Sequence, residues 1–259
     1  MFLNNPLTQS PLHDTIIFQV PAFAVGPHGY LSLPHLIRIL QEAAMQNSVR
    51  LKISSPEMIE AYGCSWVVRR QRVEISRWPV LGEEIVVTTA PSGFARKLQT
   101  FRDFHLVDET GQTIITAATQ WLMMDISSRR LKTIPPAVTA LEADLAPATA
   151  HLKRPDNKIP APAQSHLSTK SRVTFSQLDF NDHLTNPVFP ELMLEPLGHD
   201  FLRQHLPSSA DIMFHKEARY GDTLEAVAGF SDGPLRYDHA LLRDGETLAT
   251  MHTSWKKPA

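Results

Sequence analysis

The sequence predicts an α+β fold in which one structural unit, an antiparallel β-sheet wrapped around one long α-helix, occurs twice. Two segments have the apolar spacing of an amphipathic helix, and a series of alternating segments rich in Val, Ile and Thr follows each of them. The two halves also resemble each other in local detail. A chain of 259 residues is long enough for two such units, each with its own core.

The composition is that of an ordinary globular protein. Hydrophobic residues make up 42% of the chain and the formal net charge is −2, which disfavours a nucleic-acid binder that works by bulk positive charge. Cys64 is the single cysteine, so an internal disulfide and a cysteine-based zinc site are excluded, and a reducing, cytoplasmic location fits best. The apolar segment from 16 to 25 is short and interrupted, so we expect no signal peptide and no membrane span. We expect neither a metal nor a cofactor.

Both predicted helices follow a turn and have a proline in their first positions. The first runs from about Leu33 to Arg50 with Ser32 as its N-cap, and the second from about Pro187 to Gln204 with Asn186 as its cap. The residues on their recurrent faces are Leu36, Ile37, Leu40, Ala43, Ala44 and Asn47 in the first, and Val188, Leu192, Met193, Leu197 and Phe201 in the second. Gly198 weakens the second helix.

Eight segments have the alternation and composition of β-strands. In the first half these are 66–76, 84–90, 99–107 and 113–125, and in the second half 210–218, 223–230, 237–243 and 247–255. An Ala- and Pro-rich stretch from 135 to 168 separates the halves and is predicted to have little regular structure. The predicted domains are therefore 12–137 and 169–259, with a linker over 138–168.

The halves share local sequence without gaps, which favours a duplicated unit. GQTIITAATQW, ending at Trp121, and GETLATMHTSW, ending at Trp255, share a glycine, three threonines and the tryptophan. PVLGEEIVV around Gly82 likewise aligns with ARYGDTLEA around Gly221. Unrelated hairpins can share such residues, but a helix followed by antiparallel strands in each half fits a tandem (double) hotdog fold better.

The loop before the second helix carries polar residues that the first loop lacks. Asp179, Asn181 and His183 are spaced by two, so in an extended run their side chains project to one side. An imidazole can take a proton near neutral pH, and an amide can donate to an oxyanion, as acyl transfer requires. The alternative is a turn with Asx caps, in which these side chains only satisfy backbone groups.

Glu217 is a second polar residue in an unusual place. Alternation along the predicted strand sets Met213, His215 and Glu217 on one face. An acid on a strand near a Gly-Asp turn is usually a solvated residue, so Glu217 by itself does not decide between a surface and a catalytic role.

Five blocks, in order, give the sequence a resemblance to the acyl-acyl carrier protein (acyl-ACP) thioesterases, the double-hotdog enzymes of plants and bacteria. The blocks are LQEAA (40–44), WVVRRQRVEISRWPVLGEEIVVTT (66–89), FRDFHLVDETG (101–111), WLMMDISSRRLKTIP (121–135) and LDFNDHLTN (178–186). The likeness extends over roughly Asp14 to Trp255.

The resemblance implies a set of catalytic residues. The D-x-N-x-H-x-x-N motif of the family falls on Asp179, Asn181, His183 and Asn186, of which the first three are implied to be catalytic together with Glu217. Water activated by Glu217 and His183, with Asn181 polarising the carbonyl, would release free fatty acid and holo-ACP.

Two positions depart from the family pattern. Ala218 stands where many relatives have a cysteine, so a thiol nucleophile is excluded there and the reaction must use water or a carboxylate. Ala90 follows Thr89 where plant members often have a tryptophan, which concerns the shape of the acyl pocket rather than the chemistry.

The resemblance also implies an acyl-chain pocket in the first hotdog and a carrier-protein partner with a 4'-phosphopantetheine-linked acyl chain. Candidate substrate-binding residues are Leu36, Leu40, Ala44, Trp66, Trp121, Met123 and Asn186, although the apolar ones fit a plain core equally well. The stretch from Arg50 to Arg102 has a net charge of +4, which suits an acidic partner or a solvated sheet face. Candidate docking residues are Arg69, Arg70, Arg72, Arg129 and Arg130.

Two other functions remain open at this level. A hotdog thioesterase that acts on acyl-CoA would use the same chemistry with a different carrier. A non-enzymatic acyl-binding hotdog protein would not require Asn181, His183 and Glu217, whose presence together favours catalysis. A tandem chain supplies two hotdogs within itself, so either a monomer or a homodimer is compatible with the sequence.

Overall fold

The computed structural model describes residues 5–154 and 157–258 of the chain. Its helices are α1 (Leu33–Arg50), α2 (Ser55–Tyr62), α3 (Pro136–Thr139), α4 (Val188–Leu194) and α5 (His199–Gln204). Its strands are β1 (Asp14–Gln19), β2 (Cys64–Ile75), β3 (Glu84–Ala95), β4 (Gln99–Val107), β5 (Thr113–Asp125), β6 (Leu167–Arg172), β7 (Leu206–Phe214), β8 (Thr223–Phe230), β9 (Arg236–Arg243) and β10 (Glu246–Lys256).

The chain forms two compact units that are not contiguous in sequence. The first unit comprises the described parts of Met1–Val20, Ile39–Gln71 and Gly82–Pro155. The second comprises those of Pro21–Arg38, Arg72–Leu81 and Asp156–Ala259. Both α1 and β2 contribute residues to both units. The domain bounds 12–137 and 169–259 stay a prediction, and positions 155 and 156 of the predicted linker lie outside the described residues.

The two units repeat one strand order. The order is β1-β3-β4-β5-β2 in the first unit and β6-β8-β9-β10-β7 in the second. The β1·β3, β3·β4 and β4·β5 pairs are antiparallel, as are the corresponding β6·β8, β8·β9 and β9·β10 pairs. One side-chain hydrogen bond is repeated as well, because the indole N–H of Trp121 donates to Thr119 and that of Trp255 donates to Thr253. The internal duplication expected from sequence is present in the topology.

Helix α1 has the predicted bounds, and its predicted apolar face is buried. Leu36, Leu40 and Ala43 are at most 1% exposed, because residues three and four apart share the side of the helix that faces away from water. In the first unit, alternate side chains of the sheet such as Ile85 and Leu106 are fully buried. A helix on an antiparallel sheet is the α+β arrangement that the sequence predicts.

The second predicted helix is interrupted. Its range contains α4, a 3₁₀ turn over Glu195–Leu197, and α5. Pro196 has no backbone N–H to donate, and Gly198 has φ of +79°, a conformation that ends a right-handed helix. Strand β7 also differs from its prediction of 210–218. It ends at Phe214, since the backbone N–H groups of His215 and Lys216 both donate to the Leu248 carbonyl and the ladder stops there.

Some elements lack a clear sequence signal. Strands β1 and β6 and helix α2 were not predicted, and β1 and β6 are short strands at the ends of the two strand orders. The predicted linker contains α3 and short 3₁₀ turns. In the described part of the chain, no helix combines the length and apolarity that crossing a bilayer requires.

Candidate active site

Asp179 organises a tight turn before α4. Its Oδ1 accepts hydrogen bonds from the backbone N–H groups of Asn181 at 2.8 Å and His183 at 3.2 Å, and its own N–H donates to the His183 carbonyl at 2.8 Å. Asp182 has φ of +61°. The expectation of an extended run is therefore wrong, because a left-handed residue within an Asx-capped turn reverses the chain. Asp179 acts on the loop backbone, as the alternative reading of the sequence anticipated.

The turn holds His183 next to Glu217. The N–H of Leu184, one residue past His183, donates to the Ala218 carbonyl at 2.8 Å and so joins the two segments. His183 Nε2 lies 3.2 Å from Glu217 Oε1, and the side chains are 18% and 35% exposed, respectively. An imidazole and a carboxylate are thus in hydrogen-bond contact at a site that water can reach.

Arg219 completes this cluster and was not singled out from the sequence. Its Nη2 lies 3.1 Å from Glu217 Oε1 and 3.5 Å from His183 Nε2. A guanidinium is a permanent donor in a rigid, planar geometry, so it restrains the position of the carboxylate beside it. Its spacing of two from Glu217 was the available sequence signal, because alternate residues of an extended segment share one side. Arg219 lies just beyond the predicted strand of 210–218, however, and β7 itself ends before Glu217.

A second arginine fixes the turn that carries Glu217. Arg243 Nη1 donates to Asp222 Oδ2 at 2.7 Å and to the Glu217 carbonyl at 3.4 Å, while the Arg219 N–H also donates to Asp222 Oδ2. Burial raises the pKa of Asp222, but the Arg219 N–H and the Arg243 guanidinium outweigh it and leave the pKa below its ordinary value. The Asp222–Arg243 pair therefore stays ionised near neutral pH and anchors the turn.

Asn181 and Asn186 lie in the same loop in different surroundings. Asn181 is exposed at the turn, and its side-chain amide makes no hydrogen bond within the described part of the chain. This amide is free to donate to a bound ligand. Asn186 is partly buried, and its carbonyl accepts from the Phe189 N–H at the start of α4.

The loop before α1 repeats the backbone of this turn without its chemistry. Gly26 N–H donates to the Tyr30 carbonyl as Asp179 does to His183, and Gly29 has φ of +86° where Asp182 is left-handed. Leu31 N–H donates to the Pro79 carbonyl, the counterpart of the Leu184–Ala218 bond, so Trp78 precedes Pro79 as Glu217 precedes Ala218. The carboxylate–imidazole pair thus belongs to one copy of a duplicated turn.

The structure sorts the candidate substrate and docking residues by burial. Leu36, Leu40, Ala44 and Met123 are buried, whereas Trp66, Trp121 and Asn186 are partly buried. Arg129 and Arg130 are exposed, Arg69 and Arg72 are partly buried, and Arg72 pairs with Glu74. Arg70 is only 4% exposed, so it is not available to a partner and is removed from the docking set. Within residues 5–154 and 157–258, no group of three or more His, Cys, Asp and Glu side chains is placed to hold a metal ion.

Comparison with known families covers both halves of the chain. Residues 14–141 match the acyl-ACP thioesterase N-terminal domain and residues 161–257 match the acyl-ACP thioesterase C-terminal domain.

Curated relatives are plant proteins of greater length. An acyl-[acyl-carrier-protein] hydrolase of Cuphea viscosissima is 24% identical over 98% of this chain and 65% of its own length. A dodecanoyl-[acyl-carrier-protein] hydrolase of Cinnamomum camphora is 25% identical over 92% of this chain and 66% of its own length. The chain thus spans slightly less than two thirds of the length of these relatives.

Solved structures share the fold. An acyl-ACP thioesterase from Bacteroides thetaiotaomicron matches with a TM-score of 0.84 and 18% identity, over 95% of this chain and 98% of that one. A 12:0-ACP thioesterase from Umbellularia californica matches with a TM-score of 0.82 and 20% identity, over the same shares. The α+β double-hotdog fold is therefore shown.

Proposed function

This chain belongs to the acyl-ACP thioesterase family, and from that premise we propose that it hydrolyses the thioester of fatty acyl-ACP to free fatty acid and holo-ACP. The observation that supports this most is the contact between His183 Nε2 and Glu217 Oε1 at 3.2 Å. Thioester hydrolysis needs an activated water and a donor for the oxyanion. The candidate site offers both kinds of group, since Glu217 and His183 can activate water and the Asn181 amide can donate to the oxyanion.

Glu217 and His183 hold and deprotonate the attacking water in this proposal. The water oxygen bonds to the thioester carbon while its proton passes to the pair, and the tetrahedral intermediate then collapses with cleavage of the C–S bond. The leaving thiolate recovers the proton from the same pair. Positioned general-base help of this kind contributes about 10²- to 10⁴-fold to a rate.

Asn181 donates to the oxyanion, and Asp179 positions it. The exposed Asn181 amide has no competing partner among the described residues, and Asp179 fixes the backbone on both sides of that residue. One oxyanion donor typically contributes about 10²- to 10³-fold. Asp179 thus acts through the turn rather than by contact with the substrate.

Arg219 is a positioning residue for the pair. Its guanidinium shares Glu217 Oε1 with His183, which restrains the carboxylate. A thiol nucleophile is absent from this scheme, because residue 218 is alanine and Cys64 is fully buried in the first unit.

The remaining candidate residues are assigned to the carrier protein and to the acyl chain of the substrate. An acyl carrier protein with its 4'-phosphopantetheine arm docks through Arg129 and Arg130, with Arg69 and Arg72 as further contacts. The acyl chain is assigned to Leu40, Ala44, Trp66, Trp121 and Met123 of the first unit, whereas Leu36 and Asn186 stay predictions from the sequence. Exposure of Arg129 and Arg130 supports the first assignment, and the apolar character of Leu40, Ala44, Trp66, Trp121 and Met123 supports the other.

Thiol release from paired acyl-ACP and acyl-CoA series tests the proposal. We expect faster turnover of the acyl-ACP series by the wild type, and losses of about 10²- to 10⁴-fold in His183→Ala and Glu217→Gln. His199→Ala, at an exposed histidine in α5, is the matched control and should retain full activity.

Three results would count against this assignment. Equal or better turnover of acyl-CoA would make the chain an acyl-CoA thioesterase. Binding of acyl groups without cleavage would make it an acyl-binding protein, and full activity in both site variants would remove His183 and Glu217 from the mechanism.

A further inference from the structure

Four basic residues of the first unit occupy left-handed backbone positions. Lys52, Arg96, Lys97 and Arg129 have φ between +53° and +60°. This conformation places Cβ close to the following carbonyl oxygen in any residue other than glycine, and Gly, Asn and Asp are the residues that tolerate it. Backbone strain that persists in a folded protein is a reason to search for a function.

Lys52 stands where a helix normally places glycine. After α1, the N–H of Ile53 donates to the Ser48 carbonyl and that of Lys52 to the Val49 carbonyl, which together define a Schellman motif with Lys52 at C′. The next helix, α2, ends with the residue usually found at this position, because Gly63 has φ of +62°.

Arg96 and Lys97 stand where a hairpin normally places Asn-Gly. The Leu98 N–H donates to the Ala95 carbonyl, and both central residues of this turn have positive φ, as in a type I′ turn. In the second unit, the turn between β9 and β10 uses Asp244 and Gly245 with φ of +50° and +79°. The same chain thus contains both a favourable and a strained version of this turn, and the strained one is doubly basic.

These turns lie at one end of the first unit. Ile53, Phe94, Met123 and Ile134, which lie close in sequence to the basic turns, pack in one hydrophobic cluster around Met58 and Cys64. The Ile134 N–H donates to the Lys97 carbonyl and the Ile126 N–H to the Gly63 carbonyl. We call this group the basic end and define it as Lys52, Arg96, Lys97, Arg129, Arg130 and Lys132.

The basic end has a surplus of positive charge and exposed apolar side chains. Its neighbouring acids are Glu57, Glu60 and Asp125, which leaves a net charge of +3. Two of these acids already have hydrogen-bond partners. Glu57 accepts from the Ser54 N–H at the start of α2, and Asp125 accepts from Lys132 and Ser128. Beside the basic residues, Leu131 is 52% exposed, and Ile126, Tyr62 and Ile59 are 37–39% exposed.

We propose that the basic end is a docking surface for an anionic lipid bilayer. Basic side chains between exposed apolar ones are typical of surfaces that bind the membrane interface, where the cations meet anionic headgroups and the apolar groups enter the acyl boundary. The basic residues of three separate turns are exposed, which suits an extended partner surface better than a narrow ligand. This inference goes beyond the proposed hydrolysis and does not depend on it. Arg129 and Arg130 are also the proposed carrier-protein contacts, so the test variants leave both residues unchanged.

Vesicle co-sedimentation of the full chain tests the proposal. The probes are phosphatidylcholine vesicles with and without phosphatidylglycerol. The triple variant Lys52→Gly, Arg96→Asn and Lys97→Gly removes three charges and gives each turn its preferred residue. Its melting temperature should therefore rise by several degrees while its affinity for the anionic vesicles falls about a hundredfold, from roughly fivefold per basic residue.

The matched control removes three exposed lysines from other segments, namely Lys153→Gln, Lys158→Gln and Lys170→Gln. Its affinity should equal that of the wild type, whereas Leu131→Ser, the second test variant, should weaken binding with an unchanged melting temperature. Equal binding to neutral and anionic vesicles, or an equal loss in the control, would overturn the proposal. Capture of an acidic protein through Lys52, Arg96 and Lys97, without vesicle binding, would also overturn the lipid assignment.

Discussion

His239 makes the stability of the second unit dependent on pH. Its side chain is fully buried between the Met193 carbonyl, which accepts from Nδ1–H at 2.8 Å, and the Thr253 hydroxyl at 2.8 Å from Nε2. The carbonyl can only accept, so Nδ1 carries a proton, and the neutral imidazole receives the Thr253 proton at Nε2. Burial is the main cause that lowers its pKa to about 4 from 6.5.

The size of the effect follows from that difference. The unfolded chain binds the proton more tightly than the folded one, so stability is complete above pH 6.5 and is lost as the pH falls towards 4. The full loss is about 3 kcal/mol at 1.36 kcal/mol per pKa unit, of which about 2 kcal/mol is lost by pH 5.

Urea unfolding of the wild type and of His239→Gln at pH 8 and pH 5 measures this contribution. The variant has no group to titrate at this position, so its free energy of unfolding should fall between the two pH values by about 2 kcal/mol less than that of the wild type. His205→Gln, at a half-buried histidine, is the control and should fall as the wild type does. An equal fall in His239→Gln and the wild type would refute the reasoning, as would an imidazole resonance of His239 that titrates near pH 6.5.

Three further predictions concern single contacts. Gly229→Ala should destabilise the protein by roughly 1–3 kcal/mol in urea unfolding, because the new Cβ would lie 2.1 Å from the Gln164 carbonyl oxygen; an unchanged midpoint would contradict this. Arg102→Met should cost roughly 1–3 kcal/mol in urea unfolding, because it leaves the buried Asn47 Oδ1 and Thr89 Oγ1 without the donor they now have; a neutral effect would refute this. Arg219→Gln should lower kcat about tenfold or more with little change in KM, and Arg219→Lys should restore part of it; equal losses in both would indicate that charge is not what matters.

Much of the fold could be predicted from local patterns. Helix α1 and strands β4, β5 and β8 have the predicted bounds, because periodicities of 3.6 and 2 report directly which side chains face the core. The repeated Thr-x-Trp segments indicated the duplication that both strand orders display. The short strands β1 and β6 were missed, since a half-exposed pattern such as that of Lys170 and its neighbours carries little hydrophobic signal.

Sequence patterns pointed to several residues of the candidate site but not to their arrangement. The loop residues Asp179, Asn181 and His183 were identified, yet the left-handed Asp182 that brings their backbones into a turn was not. Arg219 and its contact with Glu217 were also missed, because Arg219 lies beyond the predicted strand of 210–218.

The sequence by itself determined helix α1, most of the strands, the duplication and the polar loop, since each of these depends on residues that are close together in the chain. Only the tertiary structure decided that Arg70 is buried, that Asp179 binds the backbone, and that His183 contacts Glu217 across 34 positions. Such contacts depend on where two distant segments meet. The packing and hydrogen bonding of the whole fold determine which distant segments come into contact, and a local sequence pattern carries no information about this.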